Sequence, residues 1–593
     1  MVFCVSRVQP GSLPWIAPLS PSAPRRRYAR AVLVPWAAPV PLQACVGGCL
    51  VPNWPLGPSE APLTEAGDPI HGALGSITTR GARPRQRTVR TVVLALMAIL
   101  GPGLITMVND AAAFSTYTQA GQNYGTGLLW TLALLVPVLY VNQEMAVRLG
   151  AVTGVGHARL ILSRFGKFWC AFCLIDLLLF NALTMMIEFI GVSLAVGYLG
   201  LSRPASIAAA TIAVVAAGAT GSFRRFERMA IALCVGSLLL IPVGLIIHPA
   251  VSRVAVGLFV PTLPGGVLPE ILLVAISIVG AAVTPWQLFF QQSYVVDKRI
   301  TPRFLGYGKA DLWIGIATTV AGGVLITGAA AAAFAGRPGA GGFTDVGAVA
   351  VGIEHYAGRF TGVLFAVALM AGCVLGASAV SLSTAYTLGD VLGRQHSLHK
   401  RVCQACIFHM VIAALALGSA AVVLTPDTPL GLISEGVQAL SGILLPSASV
   451  FLLLLCNDRA VLGPWVNTRA QNIVTASAIG LLVALSLVLS ASVIFPDLSA
   501  ADIGLLLATA CAVGLLAVAA HAIARRHSGH QQGAPPLLSL RRREDWRTPP
   551  LPTLPPPKMS AGRHFGLLLL RGYLLAALTL VVVRITRLML AHH

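Results

Sequence analysis

From Arg90 onward, apolar stretches close to the length of a bilayer crossing recur about twelve times. An α-helix rises 1.5 Å per residue, so about 20 apolar residues cover the roughly 30 Å hydrocarbon core. No water is available there for backbone N–H and C=O groups, so such segments must cross as helices that bond to themselves. The pattern predicts an all-α polytopic membrane protein. Composition agrees: 10% of the 593 residues are charged and 56% are hydrophobic, and mean hydropathy is +0.80. A soluble domain carries roughly a quarter charged residues, so the apolar surplus must face lipid.

The net charge of +20 is not spread evenly. Lys and Arg gather between alternate apolar runs, at Arg148, Arg159, Arg164 and Lys167, at Arg224, Arg225 and Arg228, at Lys298, Arg299 and Arg303, and at Arg394, Lys400 and Arg401. Loops 119–125 and 425–429 carry neither residue. This alternation is the positive-inside signature and places the N-terminus and the end of the twelfth helix inside. It argues against nucleic acid as a partner, because the basic clusters already serve topology.

The organisation follows. Residues 1–90 hold 14 prolines and the Arg25–Arg26–Arg27 cluster, and read as a disordered basic tail or an over-called start. Residues 91–460 form the core and 461–525 supply helices 11 and 12. A Pro/Arg-rich linker covers 526–563. An extra hydrophobic helix covers 564–593, interrupted by Arg571. The pairs Cys170/Cys173 and Cys403/Cys406 are expected to be plain thiols, since neither has a second pair at zinc-ribbon spacing. His396 and His399 fall in a basic loop, where solvation is the expectation and a regulatory metal site the lesser alternative.

A transporter needs polar groups at mid-membrane, where they are costly, and free carbonyls, which broken helices provide. The first span contains Asn109 and Asp110 in an otherwise apolar segment. The sixth carries Pro285 mid-span, which frees carbonyls one turn earlier, at Ala281 and toward Thr284. Gln287 and Gln291 follow at i, i+4 on one face. Breaks in the first and sixth spans are five spans apart, as a five-plus-five inverted repeat requires, with the site at the repeat interface. The residues point to a cation site built from Asp110 and helix 6 carbonyls.

Around these residues the chain resembles the NRAMP family of divalent-metal transporters. The likeness covers most of 95–460, through QAGQNYG after helix 1, NQEMAVRLGAVTG (142–154), IEFIG (187–191) and VQALSGILLPSASVFLLLLCNDRAVLG (437–463). It implies a LeuT-type fold. The signature residues depart from the family. Its helix 1 Asp-Pro-Gly-Asn is Asp110-Ala111-Ala112-Ala113 here, and its helix 6 Met-Pro-His is Thr284-Pro285-Trp286. Its second helix 6 histidine falls at Gln291. The helix 3 aspartate falls at Met185, while Glu188 remains.

Losing the thioether removes a soft ligand that selects transition metals, and losing both histidines removes groups that titrate near neutral pH. The departures, with TPWQLFFQQS (284–293), resemble the NRAMP-related magnesium transporter branch, which implies uncoupled Mg²⁺ and Mn²⁺ transport. The candidate metal set is Asp110, Ala113, Ala281, Thr284, Gln287 and, on helix 10, Gln438. No resident cofactor and no obligate protein partner are expected. A bacterial inner membrane is the expected location. The alternatives are a proton-coupled Mn²⁺/Fe²⁺ transporter and an organic-solute carrier on the same fold. Glu435 and Gln438 lie three apart, but no nucleophile–base pair is evident, so an enzyme is not expected.

Overall fold

The computed structural model describes residues 70–77, 89–262, 268–337, 339–425, 448–494 and 540–555, with a few single positions between 502 and 572. A hairpin of β1 (Ile70–His71) and β2 (Ser76–Ile77) precedes the helices. The first span comprises α1 (Val89–Ile99), α2 (Pro102–Thr106) and α3 (Ala111–Tyr124). Then come α4 (Trp130–Thr153), α5 (His157–Phe165), α6 (Lys167–Tyr198) and α7 (Arg203–Ala219). A fifth crossing joins α8 (Phe223–Ser237) to α9 (Leu240–Ile247), and α10 (Val251–Phe259) follows. The sixth is split into α11 (Leu268–Ala282) and α12 (Pro285–Asp297). Beyond it lie α13 (Leu305–Phe334), α14 (Val346–Ala357), α15 (Arg359–Leu392) and α16 (Cys406–Leu424), and later α17 (Arg459–Leu462), α18 (Arg469–Ile494) and α19 (Leu540–Asp545).

Seven helices among the described residues are long and apolar enough to cross a membrane. The third span, expected near 168–198, is Lys167–Tyr198, and the eighth, expected near 361–388, is Arg359–Leu392. The short helices α10 and α14 were not foreseen, because nine and twelve residues fall below spanning length and leave no hydropathy peak. Most of the tenth span, the twelfth and segment 564–593 lie outside the described residues.

Both expected breaks are present. Helix 1 stops at Thr106 and restarts at Ala111. Helix 6 stops at Ala282 and restarts at Pro285, with Thr284 extended at φ −114° and ψ 149°. Pro285 has no N–H for the carbonyl of Ala281 and fits the first position of a new helix. The broken helix 1 packs along α13, and α12 lies between α4 and α15, so the breaks sit inside the bundle, away from lipid.

At the end of the molecule that carries the basic loops, several charges expected in solvent are buried. Lys298 is enclosed, pairs with Glu227 at 2.5 Å and donates to the carbonyls of Ile99 and Leu100 at 2.9 and 2.7 Å. Asp311 caps the start of α2 through the N–H groups of Gly101 (3.0 Å) and Gly103 (2.6 Å). Arg148 is buried against Glu144 at 3.2 Å. Burying one charge in a low-dielectric interior is costly unless a partner compensates it, and each of these has one.

Two stretches expected to lie apart from the core contribute to it. The hairpin docks on α8, where the Ala73 N–H donates to Glu227 at 2.5 Å and Arg224 and Arg228 donate to the carbonyls of Gly72 and Ala73, each at 3.2 Å. Within the linker, the Arg543 guanidinium lies 4.3 Å over the Trp465 ring, and Arg164 donates to the Pro555 carbonyl at 2.7 Å. Cys403 and Cys406 are disulfide-bonded, where plain thiols were expected, whereas Cys170 and Cys173 are buried free thiols. The two histidine rings are not free in solvent as expected: His396 pairs with Asp390 at 3.0 Å, and the His399 ring stacks on Phe223 at 5.3 Å.

Candidate metal centre at the helix breaks

Asp110 is the extended residue that starts α3, at φ −88° and ψ −175°. It is 2% exposed. One carboxylate oxygen accepts the Ala113 N–H at 3.0 Å. The first N–H groups of a helix have no partner within it and carry partial positive charge, so a carboxylate is stabilised there. Ala113 therefore meets the site through its backbone N–H, and its methyl supplies no ligand.

Glu188 comes to the same place from α6. Its Oε2 accepts the Ala111 N–H at 3.2 Å, while its Oε1 is buried with no hydrogen-bond partner. The carboxyl needs the bare face of Gly376 on α15, where an added Cβ would stand 2.7 Å from it. Asp110 is thus not alone: two carboxyl groups, within electrostatic reach of each other, share one half-helix N-terminus. In the sequence, Glu188 is only the helix 3 carboxylate that remains where the family's aspartate is replaced by Met185. The missing signal is that Glu188 lies on the face of α6 that meets the start of α3, which one-dimensional spacing does not reveal.

The helix 6 break is tied to helix 1 by the two glutamines. Gln287 accepts the Thr284 N–H at 3.1 Å and donates to the Thr106 carbonyl at 3.1 Å. The Thr106 hydroxyl donates to Gln291 Oε1. The i, i+4 pairing expected from sequence holds, and both amides act as braces between the half-helices. Thr319 on α13 steadies the other side, its hydroxyl donating to the Met107 carbonyl and its backbone carbonyl accepting from Asn109 Nδ2 at 3.4 Å. Thr106 and Thr319 were not anticipated. A hydroxyl one turn before a break is the clue that would have found Thr106.

Ala281 and Thr284 are buried at the break, 4% and 2% exposed. Trp286, where the resemblance puts a histidine, is fully buried, and its carbonyl accepts from Ser383 at 3.0 Å. Met185 is buried one turn before Glu188. Gln438 and Glu435 lie outside the described residues. Asp110, Ala113, Ala281, Thr284 and Gln287 therefore all belong to elements that meet at the breaks. Among the described residues, no group of three or more His, Cys, Asp or Glu side chains is arranged to hold a metal ion. An ion here would meet carboxylate and carbonyl oxygen, with the buried thiol of Cys373 on α15 close to both carboxyl groups.

The sequence matches the family described as natural resistance-associated macrophage protein-like over residues 103–492. It is 28% identical over 414 residues to a divalent metal cation transporter MntH of Burkholderia ambifaria, spanning 67% of this chain and 89% of that one. It is 26% identical over 412 residues to MntH of Klebsiella pneumoniae, spanning 66% and 92%. In three dimensions it resembles the manganese transporter of Eremococcus coleocola, with a TM-score of 0.56 and 19% identity over 76% of this chain and 96% of that one. At that identity the likeness is one of fold.

Proposed function

The chain belongs to the natural resistance-associated macrophage protein-like (Nramp) family, and we propose that within it this protein is a divalent metal ion transporter that admits Mg²⁺, and Mn²⁺, without carrying protons. The observation that carries this reading is the make-up of the breaks. Asp110 is buried where the half-helices meet, braced by Gln287 and Gln291, and no thioether or imidazole stands at the helix 6 break. Mg²⁺ prefers hard oxygen ligands, sheds water reluctantly and is typically held by one or two carboxylates with several waters retained. A site of carboxylate, carbonyl oxygen and water fits that chemistry, whereas a soft-metal site needs sulfur or nitrogen.

The finer architecture belongs to the same proposal. It has about twelve spans arranged as a five-plus-five inverted repeat, with the N-terminus on the cytoplasmic side of a bacterial inner membrane. The membrane potential then drives entry, at about 4.6 kcal/mol for a dication at 100 mV. A carboxylate-bearing organic solute is disfavoured. It would need the half-helix N-terminus that Asp110 and Glu188 already occupy.

A proton-coupled Mn²⁺ or Fe²⁺ transporter is the second reading. It is favoured by one observation, the unpartnered Oε1 of Glu188 beside Asp110, which could hold a proton. The test is uptake into proteoliposomes at fixed potential, with Mg²⁺ and Mn²⁺ supplied singly and in competition. The expected result is uptake of both ions and its loss in Asp110→Ala. Uptake of Mn²⁺ that Mg²⁺ does not compete for would favour the second reading, and wild-type uptake by the variant would remove Asp110 from the site.

A further inference from the structure

The first half of helix 1, α1 with α2, is a lever with two joints. It turns at Gly101, whose φ of 147° favours glycine, and it parts from α3 at residues 107–110. A few residues of irregular backbone between helical pieces can absorb a large change in φ and ψ. Three buried charges hold the lever at the side of the basic loops. Asp311 on α13 accepts the N–H groups of Gly101, Gly103 and Leu104 at 3.0, 2.6 and 3.3 Å. Lys298, at the end of α12, donates to the Ile99 and Leu100 carbonyls and pairs with Glu227 on α8.

A fourth element reaches the same place from outside the helical bundle. The turn of the β1–β2 hairpin, at Gly72 and Ala73, is wedged between the last turn of α1 and α8. A Cβ added at Gly72 would run into the Ala98 carbonyl oxygen, so only glycine lets the turn sit so close. Glu227 is divided between clamp and hairpin: Oε1 takes Lys298, and Oε2 takes the Ala73 N–H. Arg224 and Arg228, one turn apart on α8, donate to the Gly72 and Ala73 carbonyls. Ile70 and Ala73 are buried.

The hairpin is held by this dock and not by itself. Its strands pair over two residues each, Ile70 with Ile77 and His71 with Ser76, and a lone hairpin that short is marginal in water. Its order depends on the contacts to α1 and α8, so it can leave without unfolding a helix. Lys298 then keeps both carbonyls, and Asp311 keeps its three N–H groups. What is lost is the bridge between α1 and α8, together with the donor on Glu227 Oε2. Water that reaches the freed oxygen screens the Glu227–Lys298 pair.

We propose that residues 70–77 are an autoinhibitory strap, which pins α1 and α2 against α8 and closes the way from the helix breaks to the end that carries the basic loops. When the strap lifts, the clamp at Lys298 weakens and α1 with α2 moves about the break at 107–110, opening that end. The strap sets the rate of passage and not the choice of ion, because its contacts to α1 and α8 involve neither Asp110 nor the helix 6 break. Its role rests on the reading of the chain as a transporter, whichever ion is the cargo and whether or not protons accompany it.

The experiment compares the full-length protein with two variants that release the strap and leave Glu227, Lys298 and Asp311 in place. Gly72→Val forces the turn away from Ala98, and Arg224→Ala with Arg228→Ala removes the two donors on α8. The first is neutral in charge, so agreement between the two separates the strap from a change in local charge. Gly75→Ala is the control, because its added Cβ meets nothing nearer than 3.6 Å. Hydrogen–deuterium exchange of the amides in 96–106, read by mass spectrometry, reports the lever without any transport. Mn²⁺ uptake into proteoliposomes reports passage. Both releasing variants are expected to exchange there about tenfold faster, as the loss of one hydrogen bond to a charged group implies, and to take up Mn²⁺ several-fold faster. The control is expected to match the unaltered protein. Unchanged exchange in both variants overturns the strap as a clamp, and faster exchange with unchanged or slower uptake overturns it as an inhibitor. If the unaltered protein and every variant fail to take up Mn²⁺, the transport reading fails instead, and the exchange rates decide separately whether the hairpin holds helix 1.

Discussion

At the scale of single residues, the proposed site is defined as much by what its side chains lack as by what they offer. Thr284 and Ala113 stand where the resemblance puts a thioether and an amide, and both are nearly fully buried. Thr284→Met with Ala113→Asn restores sulfur and an extra ligand, and is expected to shift preference from Mg²⁺ toward Mn²⁺ or Cd²⁺. Competition uptake before and after the change measures it; equal Mg²⁺ competition in both proteins contradicts the ligand reasoning. The added bulk costs about 1–3 kcal/mol of stability, so the comparison requires folded protein. Glu188 is accessible to a similar test through its neighbour. Gly376→Ala places a methyl 2.7 Å from the carboxyl and must displace it from the Ala111 N–H. A loss of stability of about 1–3 kcal/mol with slower metal uptake is expected, read from thermal unfolding and proteoliposome flux.

At the scale of elements, the two breaks are the central devices, and each has a local cause. Pro285 ends α11 by withholding a donor, while Asp110 starts α3 by capping it. The braces between them run through Thr106, Gln287 and Gln291. A different element sets the response to acid. The short helix α5 begins at His157, buried and bonded through Nδ1 to Gln292 at 2.8 Å. Its pKa is lowered from 6.5 to about 4, chiefly by burial. As pH falls through 6.5, the unfolded chain takes up a proton that the folded chain refuses until about 4. The stability present above 6.5 is therefore lost progressively on acidification, by on the order of 2 kcal/mol at pH 5. His396 has the opposite sign: burial alone lowers its pKa, but the Asp390 hydrogen bond and charge outweigh burial and raise it to about 9, so its contribution is full below 6.5 and fades as pH rises toward 9. The wild-type melting temperature is expected to drop between pH 7 and pH 5, and His157→Asn to flatten that drop. A slope unchanged by the substitution would mean that other groups control it.

At the scale of the whole molecule, the question is whether ion movement is tied to protons. Trp286, Gln291 and Met185 occupy the places where the resemblance puts ionisable side chains, and none of them titrates near neutral pH. Metal entry is therefore expected without proton entry. Proteoliposomes loaded with a pH-sensitive dye and clamped in potential report both fluxes together. Internal acidification that follows metal uptake would contradict the expectation and point to Glu188, whose free oxygen is the one nearby candidate on α6.

The sequence by itself determined the helical membrane-spanning character, the family and the two breaks. These depend on properties carried along the chain: the length of apolar runs, the placement of basic residues and the missing N–H of Pro285. It also placed Asp110, because a carboxylate in a long apolar run stands out without any knowledge of neighbours. The short helices α10 and α14 escaped it because they are too brief for a hydropathy signal. Only the tertiary structure decided which groups meet across distant segments. Glu188 meets the Ala111 N–H beside Asp110, 77 residues away, Lys298 turns from an expected loop charge into a buried partner of Glu227, and the hairpin at 70–77 docks on α8. It also set His396, expected in a solvated loop, against Asp390. Pairing of this kind is fixed by which helix faces pack together, and a charge is stabilised or left wanting by partners remote in sequence, so no window along the chain contains the information.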